Sequence, residues 1–214
     1  MKKAMWLVIA ATLLLLSGCV TVPKPTRSYT DPNYSPERLF NAKVIVYASN
    51  DVTVNEFKKS FNEAYLNGNN FSKVITDTLS SIFNLRFPES EVIKAETDSI
   101  GLLNLNDSLR YSYMQKYRDS SRDNYIIHVR KSTIDQRNQS NYNQFNGSPT
   151  TTEYCTVKML VDVYDLKENK IVDSIIIEEE QASLLFGYKT CLKKAIDRAI
   201  KKVNFLITNI EAIR

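Results

Sequence analysis

Residues 155–177 read CTVKMLVDVYDLKENKIVDSIII, and the fold class rests on this stretch. Cys155, Val157, Met159, Val161 and Val163 alternate with Thr156, Lys158 and Asp162, the two-residue period of a strand with one buried face. Leu166-Lys167-Glu168-Asn169-Lys170 supplies a turn, and Ile171 to Ile177 reads as the return arm of a hairpin. Isoleucine falls on both faces of that arm, so the pattern leaves its register open.

Downstream, Leu192, Ala195, Ile196, Ala199, Ile200, Val203, Ile207 and Ile210 recur every three or four residues and predict a closing amphipathic helix. Upstream, Tyr125, Ile127 and Val129 alternate as a strand, and Lys43–Ala48 is a short apolar run suited to a buried one. Val54–Leu66 places Phe57, Phe61, Ala64 and Tyr65 at helical spacing, with Asn67-Gly68 as a stop. A clearer helix carries Phe71, Val74, Ile75, Thr78, Leu79, Ile82 and Phe83 on one stripe, with Pro88 just beyond it. Glu91–Ala95 reads as a short strand, and Asn106–Tyr117 as a helix with Leu109, Tyr113 and Tyr117 on one side. Strands with helices before, between and after them predict one α+β domain over residues 41–214. Its expected form is a mostly antiparallel sheet, amphipathic helices packed on one face, and a long C-terminal helix. A chain of 214 residues that is 43% hydrophobic can build such a core.

Residues 1–19 read MKKAMWLVIAATLLLLSGC. Two lysines precede an apolar run from Ala4 to Leu16, which suits the central region of a signal peptide and is short for a membrane span. The run ends in Leu16-Ser17-Gly18-Cys19, which resembles the lipobox of bacterial lipoproteins. The resemblance implies a signal peptide over residues 1–18, cleavage before Cys19, and diacylglycerol with further acylation on that cysteine. Several acyl chains give stable anchoring where one does not. Val20 follows the cysteine in place of the aspartate that marks inner-membrane retention, which implies an outer-membrane destination. Residues 20–40 carry Pro23, Pro25, Pro32 and Pro36, so residues 19–40 are expected to be the lipidated cysteine and an extended tether.

The formal charge of +4 includes Lys2 and Lys3, and without them it is +2. That small excess gives no reason to expect a nucleic-acid partner. The expected partners are the membrane, through the N-terminal lipid, and an envelope protein or glycan. The hairpin Val157–Ile177 followed by the helix Leu192–Ile210 resembles, in pattern, small envelope-assembly lipoproteins such as the activator of a peptidoglycan synthase. What that implies is an assembly accessory on an α+β scaffold.

Chemistry-bearing residues are sparse. His128 is the sole histidine, on the opposite strand face from Ile127 and Val129, and it reads as a structural or surface side chain. No HExxH, GxSxG or phosphate-loop pattern occurs, so no catalytic residue, metal ligand or cofactor is expected. Cys155 and Cys191 admit two readings. One is a disulfide pinning the last helix to the sheet edge, for about 3 kcal/mol of restraint on the unfolded chain; the other is a pair of buried thiols. Lys189, Lys193, Lys194, Arg198, Lys201 and Lys202 give the last helix a basic face, which suits anionic lipid or ordinary solvation. Glu178-Glu179-Glu180 cannot converge on a metal from one strand, because successive side chains alternate faces.

Asp135–Thr152 reads as a long polar loop in which amide side chains surround Tyr142 and Phe145. Asn138, Tyr142 and Phe145 are its candidate partner-binding residues, although the composition equally suits a mobile excursion. Asp-Ser/Thr-apolar triplets at Asp77, Asp98, Asp107 and Asp173 resemble an O-glycosylation sequon of Bacteroidetes envelope proteins. The expected function is a non-enzymatic binding or assembly accessory anchored in the envelope. The alternatives are a surface adhesin or glycan binder, and a hydrolase assembled from His128, Asp162 and Glu178.

Overall fold

The computed structural model describes residues 25–95, 107–142, 149–183 and 187–209. At its centre β6 (Pro149–Asp165) and β7 (Lys170–Ala182) form the expected antiparallel hairpin, and β5 (Asn124–Tyr142) lies antiparallel on the other side of β6. Val161 stands between Val129 and Ile175, and Val163 beside Ile127. These cross-strand rows build the face that becomes the core. Val163 pairs with Asp173 and Tyr164 with Ile171, so Val172 is an extra residue in β7. The bulge settles the register: Val172 joins Ile175 and Ile177 in the main core, while Ile171 packs on the opposite face.

Four shorter strands complete the sheet. β1 (Thr26–Thr30) pairs antiparallel with β7, and β2 (Lys43–Ala48) parallel with β5. β3 (Val52–Val54) also pairs with β5, and β4 (Glu91–Lys94) with β2. The path is β1-β7-β6-β5-β2-β4, with β3 beside it. The parallel pairs arise where helices carry the chain back across the sheet: α1 (Lys58–Tyr65) and α2 (Gly68–Arg86) between β3 and β4, and α3 (Asp107–Met114) between β4 and β5.

α1, α2 and α4 (Tyr188–Ile207) cover one face, burying Phe61, Phe71, Ile75, Leu79, Phe83, Leu192, Ile196 and Ile200 against the sheet. α3 departs from the expected single helical layer and lies on the opposite face. There Tyr111 and Met114 pack with Ile45, Tyr47, Ile126 and Tyr164. β2 is apolar on both faces and needs cover on both. Asn67, expected to stop a helix, caps the next one: its Oδ1 accepts from the Asn70 N–H at 2.9 Å. A Cβ at Gly68 would stand 3.2 Å from the Asn50 carbonyl oxygen, a close approach that a larger residue could take only if the β2–β3 turn gave way by a few tenths of an ångström.

The proline-rich segment differs most from expectation. Thr26–Thr30 is an edge strand, Pro36–Leu39 is a 3-10 turn, and Tyr34 and Leu39 are buried in the main core. The prolines exclude a helix or a central strand, but β1 fits between Pro25 and Pro32 on the sheet edge. Arg27 Nε lies 3.1 Å from Asp173 Oδ1, and its Nη2 donates to the Leu206 carbonyl at 2.6 Å, joining β1 to β7 and to the end of α4. Thr26–Leu39, expected in the tether over residues 19–40, therefore belong to the folded domain expected from residue 41, while residues 1–24, with the expected signal peptide and lipidated Cys19, lie outside the described residues.

Candidate functional site

β5 and β6 outrun their neighbours. The last pair that β7 makes with β6 is Ala182 with Tyr154, and the last that β3 makes with β5 is Val54 with Ile134. The pairs from Asn138–Glu153 to Tyr142–Pro149 belong to the hairpin alone. At strand rise they form a two-stranded arm about 17 Å long. The polar run expected as a loop over Asp135–Thr152 is thus mostly strand. Apart from Thr152 at its base, the arm has no apolar core to cover, so amide and hydroxyl side chains fit it, and no hydrophobic alternation marks it. Asn138 is exposed in β5, and Tyr142 makes the last pair; Phe145 lies outside the described residues.

The base of the arm is clamped. Arg137 donates from Nε and Nη2 to the two carboxylate oxygens of Glu180, each at 2.8 Å, and its guanidinium lies 4.7 Å from the centroid of the Tyr154 ring. A forked, charge-assisted pair fixes direction as well as distance. Glu180 beside it holds the Arg137 guanidinium above its usual range. On the other strand, Glu153 accepts from the Tyr188 hydroxyl at 2.7 Å, and its carbonyl accepts from the Ser183 N–H at 2.9 Å. The Arg137–Glu180 pair was not anticipated. Arg137 is the only cation between Asp135 and Thr152, which singles it out but names no partner. Chemically the arm offers amides and hydroxyls, and among the described strands no third strand pairs with it, which suits recognition.

Cys155 and Cys191 are both buried and stand here as free thiols, the second of the two readings. The expected proximity is nevertheless there: the Cys191 thiol donates to the carbonyl of Gln181, the residue paired with Cys155, at 3.0 Å. Burial pushes the Cys155 thiol up to about 12 and raises Cys191 as well. The last helix has already packed Cys191 into the core, where a thiol serves as a small apolar group.

His128 is fully buried under α3, where Tyr47 and Tyr111 flank it and the Tyr111 hydroxyl stands 3.3 Å from Nδ1. In register, Tyr47, His128, Asp162, Ser174 and Tyr29 form one row across five strands. Ser174 donates to Asp162 Oδ1 at 2.6 Å, and Arg130 Nε stands 3.5 Å from Oδ2. The hydroxyl is thus bonded to the carboxylate and not to the imidazole, the reverse of a nucleophile–base–orienter order. Glu178 pairs with Lys158, four positions from Asp162, and does not join the row. Its neighbours go elsewhere: Glu179 meets Lys202 beneath α4, and Glu180 holds the arm. Of the sequon-like triplets, Asp173-Ser174-Ile175 is inside the sheet with Asp173 buried, while Asp98 lies outside the described residues.

No protein-family model matches this sequence, and no curated protein matches it. Solved structures with a similar arrangement include a protein described as a neuraminyllactose-binding hemagglutinin homolog from Helicobacter pylori, at 11% identity and a TM-score of 0.46 over 83% of this chain and 87% of that one. PelC from Paraburkholderia phytofirmans, a dodecamer, aligns at 10% identity and a TM-score of 0.39 over 84% and 96%. A minor lipoprotein from Acinetobacter baumannii aligns at 11% identity and a TM-score of 0.38 over 78% and 92%. The structures with this partial likeness include bacterial lipoproteins.

Proposed function

We propose that this protein is a lipid-anchored accessory of the bacterial cell envelope, held through Cys19 on the outer membrane, which binds an envelope partner with the β5–β6 arm and performs no chemistry on it. The observation that carries the reading is the arm itself, a two-stranded extension with which no third described strand pairs, its base locked by Arg137 and Glu180. The lipobox-like Leu16-Ser17-Gly18-Cys19 supplies the anchor. The amide- and hydroxyl-rich faces of the arm favour a glycan as the second choice of partner, since planar amides and hydroxyls match sugar hydroxyls.

The test places a photo-crosslinking side chain at Ser140 or Thr151, which face each other in the arm, and at Ser81 on α2 as a control. The expected result in intact cells is one protein or one envelope polymer crosslinked from both arm positions and not from Ser81. Replacing residues 139–152 with Asn-Gly closes the hairpin at Asn138 and Glu153 with a two-residue turn, and should abolish capture while the domain stays folded. Equal crosslinking from all three positions, or capture that survives the truncation, removes the arm from the function. Cys19→Ala should leave the domain unanchored; continued fractionation with membranes would remove the lipid reading.

A further inference from the structure

We infer that the exposed face of α4 is a second membrane contact, lying on the anionic headgroups of the bilayer that holds the anchor. The inference deepens the anchoring reading above and rests on it.

Charge is the first observation. α4 carries six cations, at Lys189, Lys193, Lys194, Arg198, Lys201 and Lys202, against Asp197 alone. The processed chain has a formal charge of +2, so everything outside α4 sums to −3 and the positive charge is concentrated on this one helix. Lys202 is turned inward to Glu179, and Arg198 Nη1 donates to the Glu180 carbonyl at 3.1 Å while remaining exposed. Lys189, Lys193, Lys194 and Lys201 are exposed. Lys194, Arg198, Lys201 and Phe205 follow one another at four-, three- and four-residue spacing, so they share a stripe. Phe205 ends that stripe with 47% of its surface exposed. Cations ending in an aromatic ring are the pattern of a helix that rests at a lipid–water boundary.

The position of the chain's start is the second observation. β1 begins seven residues after Cys19, a reach of at most about 25 Å when fully extended. Arg27, in β1, is bonded to the carbonyl of Leu206 at the end of α4, next to Phe205. The anchor therefore enters the domain beside the C-terminal end of this helix. At 1.5 Å per residue the whole 20-residue helix is about 30 Å long, so its basic face is within reach of the headgroups to which the lipid is tied. An anionic surface attracts each nearby lysine or arginine by roughly fivefold in partitioning, and salt screens the effect.

The only tryptophan of the chain, Trp6, lies ahead of Cys19, so Phe205→Trp places a single reporter in the processed protein. The lipidated protein is reconstituted on neutral phosphatidylcholine vesicles and on vesicles with about one third phosphatidylglycerol, each containing a headgroup-quencher lipid. The expected result is quenching and a blue shift of the reporter's emission on the anionic vesicles only. It should be lost on combining the variant with Lys193→Gln, Lys194→Gln and Lys201→Gln, which lowers partitioning on the order of a hundredfold, and reduced at high salt. A reporter placed instead on α3, across the sheet, by Leu109→Trp should stay unquenched throughout. Equal emission on both vesicle types, or quenching indifferent to the three glutamines, overturns the inference. So does retention of α4 by an anionic polysaccharide with no quenching on vesicles. Anchoring is read independently as flotation with neutral vesicles. If flotation fails, the lipid reading fails, and quenching on anionic vesicles still decides the helix surface.

Discussion

Arg137 reaches Glu180 with two parallel donors, and the two side chains differ sharply in exposure, 40% against 2%. Removing the guanidinium leaves a buried carboxylate without its cation, whereas the arginine itself gives up a partly solvated position. Arg137→Ala should therefore cost about 1–2 kcal/mol, below the range for a fully buried pair, and Arg137→Lys should recover part of that by restoring charge without the fork. Urea midpoints at constant m value check this. The same pair shows where the sequence is silent. Arg137 and Glu180 stand forty-three positions apart, and nothing in either neighbourhood specifies the partner before the register of β5, β6 and β7 is known. His128 is similar. Its alternation with Ile127 and Val129 gives its strand face, but its burial depends on α3, which arrives from a segment with a weak pattern.

At the scale of elements, periodic segments were legible and non-periodic ones were not. The β6–β7 hairpin, α2 and α4 each repeat an apolar side chain at one spacing over several turns or pleats, and each forms as expected. β1 and the arm lack any such repeat. β1 has only five residues with proline on either side, and the arm is polar on both faces, so composition alone assigned both to irregular chain. What holds β1 is one buried ion pair and its pairing with β7. Side-chain exposures of 9% for Arg27 and 0% for Asp173 put this pair in the buried class. Burial raises the Asp173 carboxyl, against the pull of Arg27. Arg27→Ala should destabilise by about 3–5 kcal/mol, because an uncompensated carboxylate remains in the sheet and the last turn of α4 loses a donor. A loss below about 1 kcal/mol in equilibrium denaturation would mean that β1 is held by its backbone pairing alone.

For the whole molecule, buried acids set how stability varies with pH. Burial raises the Cys155 thiol from 9.0 to about 12 and the Tyr65 phenol from 10.0 to about 12, and it raises Tyr34, Tyr125 and Cys191 as well. The unfolded chain gives up these protons from about pH 9, while the folded protein keeps them until about pH 12. The folded state then binds more protons, so the stability contributed is complete below about pH 9 and is lost as pH rises from there toward about 12. Denaturant midpoints should fall steadily across that window, and Cys155→Ala should flatten part of the slope. A midpoint unchanged between about pH 8 and about pH 11 would show the thiol and phenols to be hydrated in the folded protein.

The pairing of the first strand with the last has a consequence for timing. Thr30 meets Asp173 across 143 positions of chain, so β1 has no partner until the segment Lys170–Ala182 is present. Non-local closures of this length come late in folding. A chain delivered N-terminus first therefore carries β1 unpaired through most of its synthesis. The outer edge of the sheet closes only with its last strand, so a chain cut short ahead of Lys170 lacks the partner of β1 and leaves Thr26–Thr30 without a ladder.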